Sequence, residues 1–342
     1  MHEDWQWVEA IMPQMVTKLT SRFRILQGVA NLQPVRRRTL ATNLACSERT
    51  VRTTTDALAS LGYIQMSVKG MQVTAAGQRV LQGLAPVMND LAGRQQREQT
   101  LAQQLDIAHC TIVPGDSTAA NGSLNAMAQA ANRVLTDEMP TGHSTVAVMG
   151  GHTLAAVAQA LTPALSINRQ LLFVPARGGV GESPAIQANT VAAEMAQQTN
   201  SDFRQLYVPE QLTTATYKPL FAEPAIHEVL QLIGQSNVVI HGIGQAFAMA
   251  KRRKMAPHVI ADLAAAHAVG EAFGYFYDAE GHVVSKFPRI GLEIGDLAAK
   301  QLVIAVAGGA EKGTAIAAYM RLAPAQTWLI TDEGAADFVL KK

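Results

Sequence analysis

From residue 107 onward the chain is dominated by seven short apolar runs: IAHCTIVPG, STVAVMGG, LLFVPARGG, FRQLYVP, NVVIHGIG, LVIAVAGG and TWLI. Ala-rich stretches with helical spacing, such as SLNAMAQAANRVLTDEM and TLAAVAQALT, lie between them. Strands that end in glycine and open a helix, repeated along a chain, fold as a parallel, Rossmann-like α/β sheet. Ligands of such sheets sit beyond the carboxyl ends of the strands. The glycine-rich corners are therefore the place to look for chemistry.

Four corners stand out. Gly150-Gly151-His152-Thr153 follows STVAVM and offers helix N–H groups and a hydroxyl to a phosphate. Arg177-Gly178-Gly179 follows LLFVPA and adds a guanidinium suited to bidentate phosphate binding. Gly242-Ile243-Gly244 precedes the cationic run Lys251–Lys254, in which Arg252 is the residue expected to turn inward. Gly308-Gly309 is followed by Lys312 one turn into the next helix. The third glycine and downstream acid of a dinucleotide fingerprint are missing, and no GxxxxGK[ST] loop exists. Glycine at one such turn is often only geometry, but two or more with adjacent cations point to a phosphorylated small molecule.

Other chemistries are poorly served. The nine histidines lack metal-ligand spacing, Cys46 and Cys110 cannot form a disulfide framework, and no GxSxG elbow surrounds Ser117, Ser123 or Ser183. No cofactor or metal is expected. No apolar run approaches the ~20 residues of a membrane span, and the polar, acidic start MHEDWQWVEA does not resemble a signal peptide, so a cytoplasmic protein is expected.

The first third of the chain has another character. Net charge is +1 overall, yet residues 1–105 carry +5 and residues 106–342 carry −4. Between 18 and 79, ten basic residues face only Glu48 and Asp56, which suggests a polyanion partner for this module. Residues 5–31 have helical spacing (Trp5, Val8, Ile11, Met12, then Phe23, Leu26, Val29), with a break or kink at Pro13. In the segment 34–64, Leu40 and Leu44 mark one short helix. Ser47 caps a second, which carries Val51, Leu58 and Leu61 inward with Thr54 or Thr55 and stops at Gly62. Two short helices joined by a tight turn make a helix-turn-helix. YIQMSV-KG-MQVT alternates around Lys69-Gly70 as a wing would.

Arg49, Arg52, Thr53 and Asp56 share the outer face of the second helix, and Ser47 and Thr50 open it. Arginine there can read guanine, and threonine a thymine methyl or a phosphate. Arg36, Arg37 and Arg38, at the start of the preceding helix, are better placed for phosphates. We therefore expect a DNA-binding domain over residues 1–75 and a linker helix over 76–105. An effector-binding and oligomerisation domain should fill 106–342. The linker stripe Val80, Leu84, Val87, Met88, Leu91, Leu101 and Leu105 suits either a twin helix in a dimer or its own domain, and Pro86 is a candidate kink.

The ordered motifs GGHT, ARGGVGESPAIQANTVAAEMA, GIGQ, GEAFGYFYDAEG and AGGAEKGTAI, behind a winged helix-turn-helix and linker, resemble the SorC-type family of bacterial transcription factors over nearly the whole chain. The resemblance implies an effector domain similar to sugar-phosphate isomerases and deaminases. It also implies a repressor of glycolytic genes that binds operator DNA as a homodimer or homotetramer. The implied effector is a phosphorylated sugar, fructose-1,6-bisphosphate or a relative of it. Carried over by residue, one phosphate would meet Gly151, His152 and Thr153 with Lys312 nearby, and Arg177 and Arg252 would clamp the other. Gln187, Asn189 and Glu271 would touch sugar hydroxyls. The family usually has a hydroxyl residue where His152 stands, so phosphate binding at that corner should be weaker or depend more on pH.

A sugar-phosphate isomerase or deaminase with an accessory domain would explain the corners but not the basic winged helix. It would also need a positioned general base, for which only Asp262 and Glu271 are tempting. An adaptor would leave the corners unexplained. The sequence favours the regulator.

Overall fold

The structure, a computed structural model, describes residues 13–91, 93–118, 121–179, 183–208, 219–220, 222–287 and 290–341. The chain divides into two compact units, Met1–Arg97 and Glu98–Lys342.

The first unit opens with α1 (Pro13–Leu32), followed by α2 (Arg37–Asn43) and α3 (Glu48–Ser60). Pro13 thus begins a helix, while Trp5, Val8, Ile11 and Met12 lie outside the described residues. Between α2 and α3 the chain turns sharply at Ala45, φ +47, and Arg24 Nη2 holds the turn by donating to Leu44 O at 2.8 Å. Val51, Thr55 and Leu58 of α3 pack with Ile25, Leu26, Val29, Leu40 and Ala41. Leu61, expected inward, is 53% exposed. It caps the helix, and the chain reverses at Gly62, φ +76. Gly62 N–H bonds to Ala59 O and Tyr63 N–H to Leu58 O, both at 2.9 Å, so Tyr63 folds back to supply the apolar contact. The wing is β1 (Ile64–Ser67) paired antiparallel with β2 (Gly70–Val73), extended by a bridge from Val35 to Met71.

The linker forms two helices, α4 (Ala75–Leu91) and α5 (Arg94–Gln104). The break lies around Gly93; Pro86 sits inside α4. Leu101 and Leu105 are buried in the core of the second unit, so that part of the stripe is occupied within this chain.

The second unit runs β3 (His109–Val113), α6 (Asn121–Glu138), β4 (Gly142–Val148), α7 (His152–Ala160), β5 (Arg169–Pro175), α8 (Ala188–Thr199), β6 (Asp202–Phe203) and α9 (Pro224–Gln235). It continues through β7 (Val238–Gly242), β8 (Gly244–Gln245), α10 (Ala246–Arg252), α11 (Pro257–Ala265), β9 (Gly270–Ala272), β10 (Tyr275–Tyr277) and β11 (Val283–Lys286). It closes with β12 (Leu302–Val306), α12 (Gly313–Met320), β13 (Thr327–Asp332) and α13 (Glu333–Leu340). Seven strands make one parallel sheet in the order β3-β13-β12-β7-β4-β5-β6. Alternate residues serve opposite faces: Val303 and Ala305 join one core with α9, α12 and α13, while Ile304 and Val306 join another with α6, α7 and α8. The expected α/β fold is present. At the outer strand β3, Ile112 N–H donates to Glu98 Oε1 at 2.7 Å.

Two features depart from the expected strand list. Among the described residues of the FRQLYVP run only Phe203 is strand, together with Asp202 before it. Beyond it, Asn189 takes over the backbone pairing, with Leu206 N–H donating to Asn189 Oδ1 at 2.9 Å and Nδ2 donating to Leu206 O at 3.0 Å. A second, antiparallel sheet, β11-β10-β9-β8, grows directly from the end of β7.

Candidate functional site

In the helix-turn-helix unit, Arg49, Arg52, Thr53 and Asp56 are exposed on α3 as expected. Ser47 Oγ accepts from Thr50 N–H at 3.1 Å and lies 2.8 Å from Thr50 Oγ1, so both residues serve the cap. Thr53 Oγ1 donates to Arg49 O at 3.0 Å, so its hydroxyl is engaged within the helix. At the wing tip Val68 is 98% exposed beside exposed Lys69.

The three arginines at α2 divide. Arg36 is exposed. Arg38 makes a long, solvent-exposed contact with Glu48 at 3.8 Å. Arg37 is half-buried, pairs with Asp56 of α3 and reaches Met66 Sδ of the wing at 3.7 Å. Its charge is compensated and its guanidinium links three elements. Arg36→Ala should therefore lower the salt dependence of DNA binding by about one phosphate contact, and Arg37→Ala by clearly less. Affinity measured across a salt series separates the two.

In the second unit, the topology brings all four glycine corners to the carboxyl ends of adjacent strands β12, β7, β4 and β5. The winding reverses between β7 and β4, the switch point where such sheets hold ligands. The β4 and β5 corners touch. A side chain at Gly150 would collide with Ile186 O, meet Ala188 N at 2.9 Å and lie 3.2 Å from Arg177 Nη2. Arg177 is 3% exposed, and its strand end is fixed by a bridge to Gly291 and by Gly178 N–H donating to Ile290 O at 3.1 Å. Gly151 N–H donates to Ile186 O at 2.8 Å, so the amides left to a phosphate at this corner are those of the first turn of α7, at His152 and Thr153. Gln187 caps α8 within the same loop, its Oε1 facing Gly179.

The β12 and β7 corners are likewise joined, with Gln245 Nε2 donating to Glu311 O at 2.7 Å. Burial holds Lys312 below the usual lysine range; neighbouring Glu311 opposes this and Arg252 reinforces it. The positive charge of Arg252 thus acts on Lys312, a repulsion that an anion would relieve. Asp332, fully buried, sets the edge of this corner. Its Oδ1 accepts from Gly309 and Ala335 N–H at 2.9 and 3.0 Å, and Oδ2 from Ser117 N–H at 2.7 Å. The signal for it was the N-cap position of TDEG after a strand.

Three expectations change. Arg253, not Arg252, is the buried member of the cationic run, paired with Glu271 at 3.1 Å. Glu271 Oε1 accepts from Arg253 and from Gly274 N–H at 2.6 Å, so it serves the β9–β10 turn. Asn189, expected at the sugar, has both ends of its amide on Leu206. Asp262 lies exposed on α11, and among the described residues no group of three or more His, Cys, Asp and Glu could hold a metal.

Beneath the β7 corner His241 is completely buried. Its Nδ1 lies 3.1 Å from Gly242 O, to which it donates, and its Nε2 lies 3.2 Å from Tyr319 Oη, which can donate to the neutral ring. Burial lowers its pKa to about 4 from 6.5, against a smaller opposing effect of the Gly242 bond. The unfolded chain then binds a proton that the folded one refuses. Stability should fall as pH drops from about 6.5 to about 4, with no contribution above. Urea midpoints measured across this range should fall less steeply for His241→Gln than for the natural protein.

The N-terminal unit matches the CggR N-terminal DNA-binding domain over residues 19–88, and a sugar-binding domain matches residues 89–341. The chain belongs to the SorC-type family of transcriptional regulators. A crystallised SorC-family regulator from Enterococcus faecalis shares 47% identity, with a TM-score of 0.69 over 72% of this chain and 99% of that one. The central glycolytic genes regulator of Priestia megaterium is 40% identical over 95% of both chains, and that of Bacillus subtilis 38% identical over 100% of this chain and 99% of its own. Full-length SorC from Klebsiella pneumoniae, 18% identical, shares the fold with a TM-score of 0.67 over 90% of this chain and 94% of its own. The regulator binds DNA and sugar and is not an enzyme. Among its described residues, no helix is long and apolar enough to cross a membrane.

Proposed function

We propose that the regulator represses glycolytic genes and leaves its operator when a phosphorylated sugar, fructose-1,6-bisphosphate, occupies the carboxyl edge of the parallel sheet. The observation that carries this reading is the gathering of the four glycine corners, with His152, Thr153, Arg177 and Lys312, on four neighbouring strand ends at the switch point, Arg252 ending the short helix α10 that follows the β7 corner. Separate cationic clusters, Arg177 beside the α7 first turn and Arg252 beside Lys312, suit two phosphates better than one. Gln187 is the polar side chain best placed for a sugar hydroxyl between them. The kinship with central glycolytic genes regulators supports the choice of genes and effector.

On the DNA side, Arg49, Arg52 and the Thr53 methyl of α3 read bases, while Arg36, Arg38 and Lys69 meet phosphates. Helix-turn-helix operators come as paired half-sites, so two or four copies act together. The effector must favour the assembly that holds DNA less well, since a ligand shifts an equilibrium only by its differential affinity.

Thermal unfolding against a panel of sugar phosphates tests the ligand. At 100 times its Kd the true effector should stabilise the protein by about 2.7 kcal/mol. Monophosphates should do markedly less at the same concentration. Equal stabilisation by fructose-6-phosphate would overturn the bisphosphate assignment.

A further inference from the structure

The cationic run at the end of α10 contains one half-buried arginine, Arg252, and one whose side chain is almost wholly buried, Arg253. Arg253 turns into the protein and meets Glu271, with both side chains about 95% or more buried. A buried ion pair is seldom a gain in stability over apolar packing, because both ions lose their water. Its presence beside the effector site calls for another role.

We infer that Arg253 is a positioning residue. Through its buried pair with Glu271 it fixes the end of α10 so that the neighbouring Arg252 is held against Lys312, ready for a phosphate. This rests on the effector site proposed above.

Three observations support the inference. First, α10 is only seven residues long, too short to hold its direction alone. Its end is tied by Arg253, Lys254 and Met255 N–H groups bonding to Met249, Lys251 and Ala250 carbonyls at 3.0 Å, and the chain leaves at Lys254 with φ +51. Second, Gln245, which opens α10, donates from Nε2 to Glu311 O at 2.7 Å, so the helix starts against the corner that carries Lys312, and the like charges of Arg252 and Lys312 repel. Successive helical side chains point about 100° apart, so locking Arg253 inward fixes where Arg252 projects. Third, the anchor itself is rigid. Glu271 lies opposite Gly244 on β8 and Phe276 on β10, and its carboxylate accepts from Gly274 N–H. Phe273 in this turn has φ +53, a conformation a bulky residue keeps only when its surroundings impose it, and its ring packs on His241 at 4.7 Å.

The test is a mutant cycle on the full chain. Fructose-1,6-bisphosphate is titrated into the operator complex and the apparent Kd read by fluorescence anisotropy. Removing Arg253 alone would leave a buried charge, so the pair is removed together as Arg253→Met with Glu271→Gln, and thermal melting confirms folding. The double variant should weaken the effector about tenfold, as should Arg252→Ala, and combining all three should be no worse than Arg252→Ala alone. Arg253→Lys should keep most of the response. If the paired variant binds as the natural protein does, or adds its loss fully to that of Arg252→Ala, the positioning role is overturned while the site stands. If Arg252→Ala and Arg177→Ala both respond normally, the site reading itself fails and takes this inference with it.

Discussion

Arg177→Ala should bind operator DNA as tightly as the natural regulator and no longer respond to fructose-1,6-bisphosphate. The guanidinium lies next to Gly150 at the shared β4–β5 corner, and the proposed role for it there is to bind a phosphate. Losing a charge-assisted contact of this kind should cost roughly 1.5–3 kcal/mol, or about 10- to 150-fold in effector affinity. The loop should survive the truncation, because its backbone is held by Gly179 N–H on Val208 O at 2.8 Å and Leu292 N–H on Ala176 O at 2.9 Å. Arg177→Lys keeps the charge without the fork and should fall between. Anisotropy titrations of operator DNA with and without the sugar bisphosphate measure all three. A normal response from Arg177→Ala would place the effector elsewhere.

The second large effect should come from the DNA face. Replacing Arg49 and Arg52 together by alanine should remove two base-reading contacts of roughly 1–3 kcal/mol each and carry operator binding toward the non-specific level. Helix α3 should not suffer. Both side chains are exposed, alanine is the best helix former, and the Ser47 cap and the reversal at Gly62 remain. Competition with unrelated DNA at fixed salt gives the specificity ratio directly. Undiminished discrimination in the double variant would exclude α3 as the reading helix.

How much of this was legible in the sequence depended on repetition. The long β-strands and their glycine ends announced themselves because alternate residues of β12 and β7 face two buried cores, leaving near-continuous apolar runs. The helix-turn-helix and wing were legible from caps, spacing and a Lys-Gly turn. The antiparallel sheet was not, because strands of two to four residues are too short to show a period. Leu61 looked like one more core position on α3, but a capping residue has already left the helical face, and Tyr63 takes its place. The choice between Arg252 and Arg253 was beyond periodicity. It depends on Glu271, eighteen residues further on in a turn that only the fold brings near. Asn189 had the right chemistry for a sugar but meets a backbone that lacks a neighbouring strand.

The bond from Ile112 N–H to Glu98 has a consequence for the life of the protein in a crowded cell. An open sheet invites foreign strands to add to its margins, which is how many folded proteins begin to aggregate. Here a helical carboxylate occupies an amide in the middle of one margin, and the strand at the other is two residues long. Both margins of the sheet are therefore poor templates for an added strand.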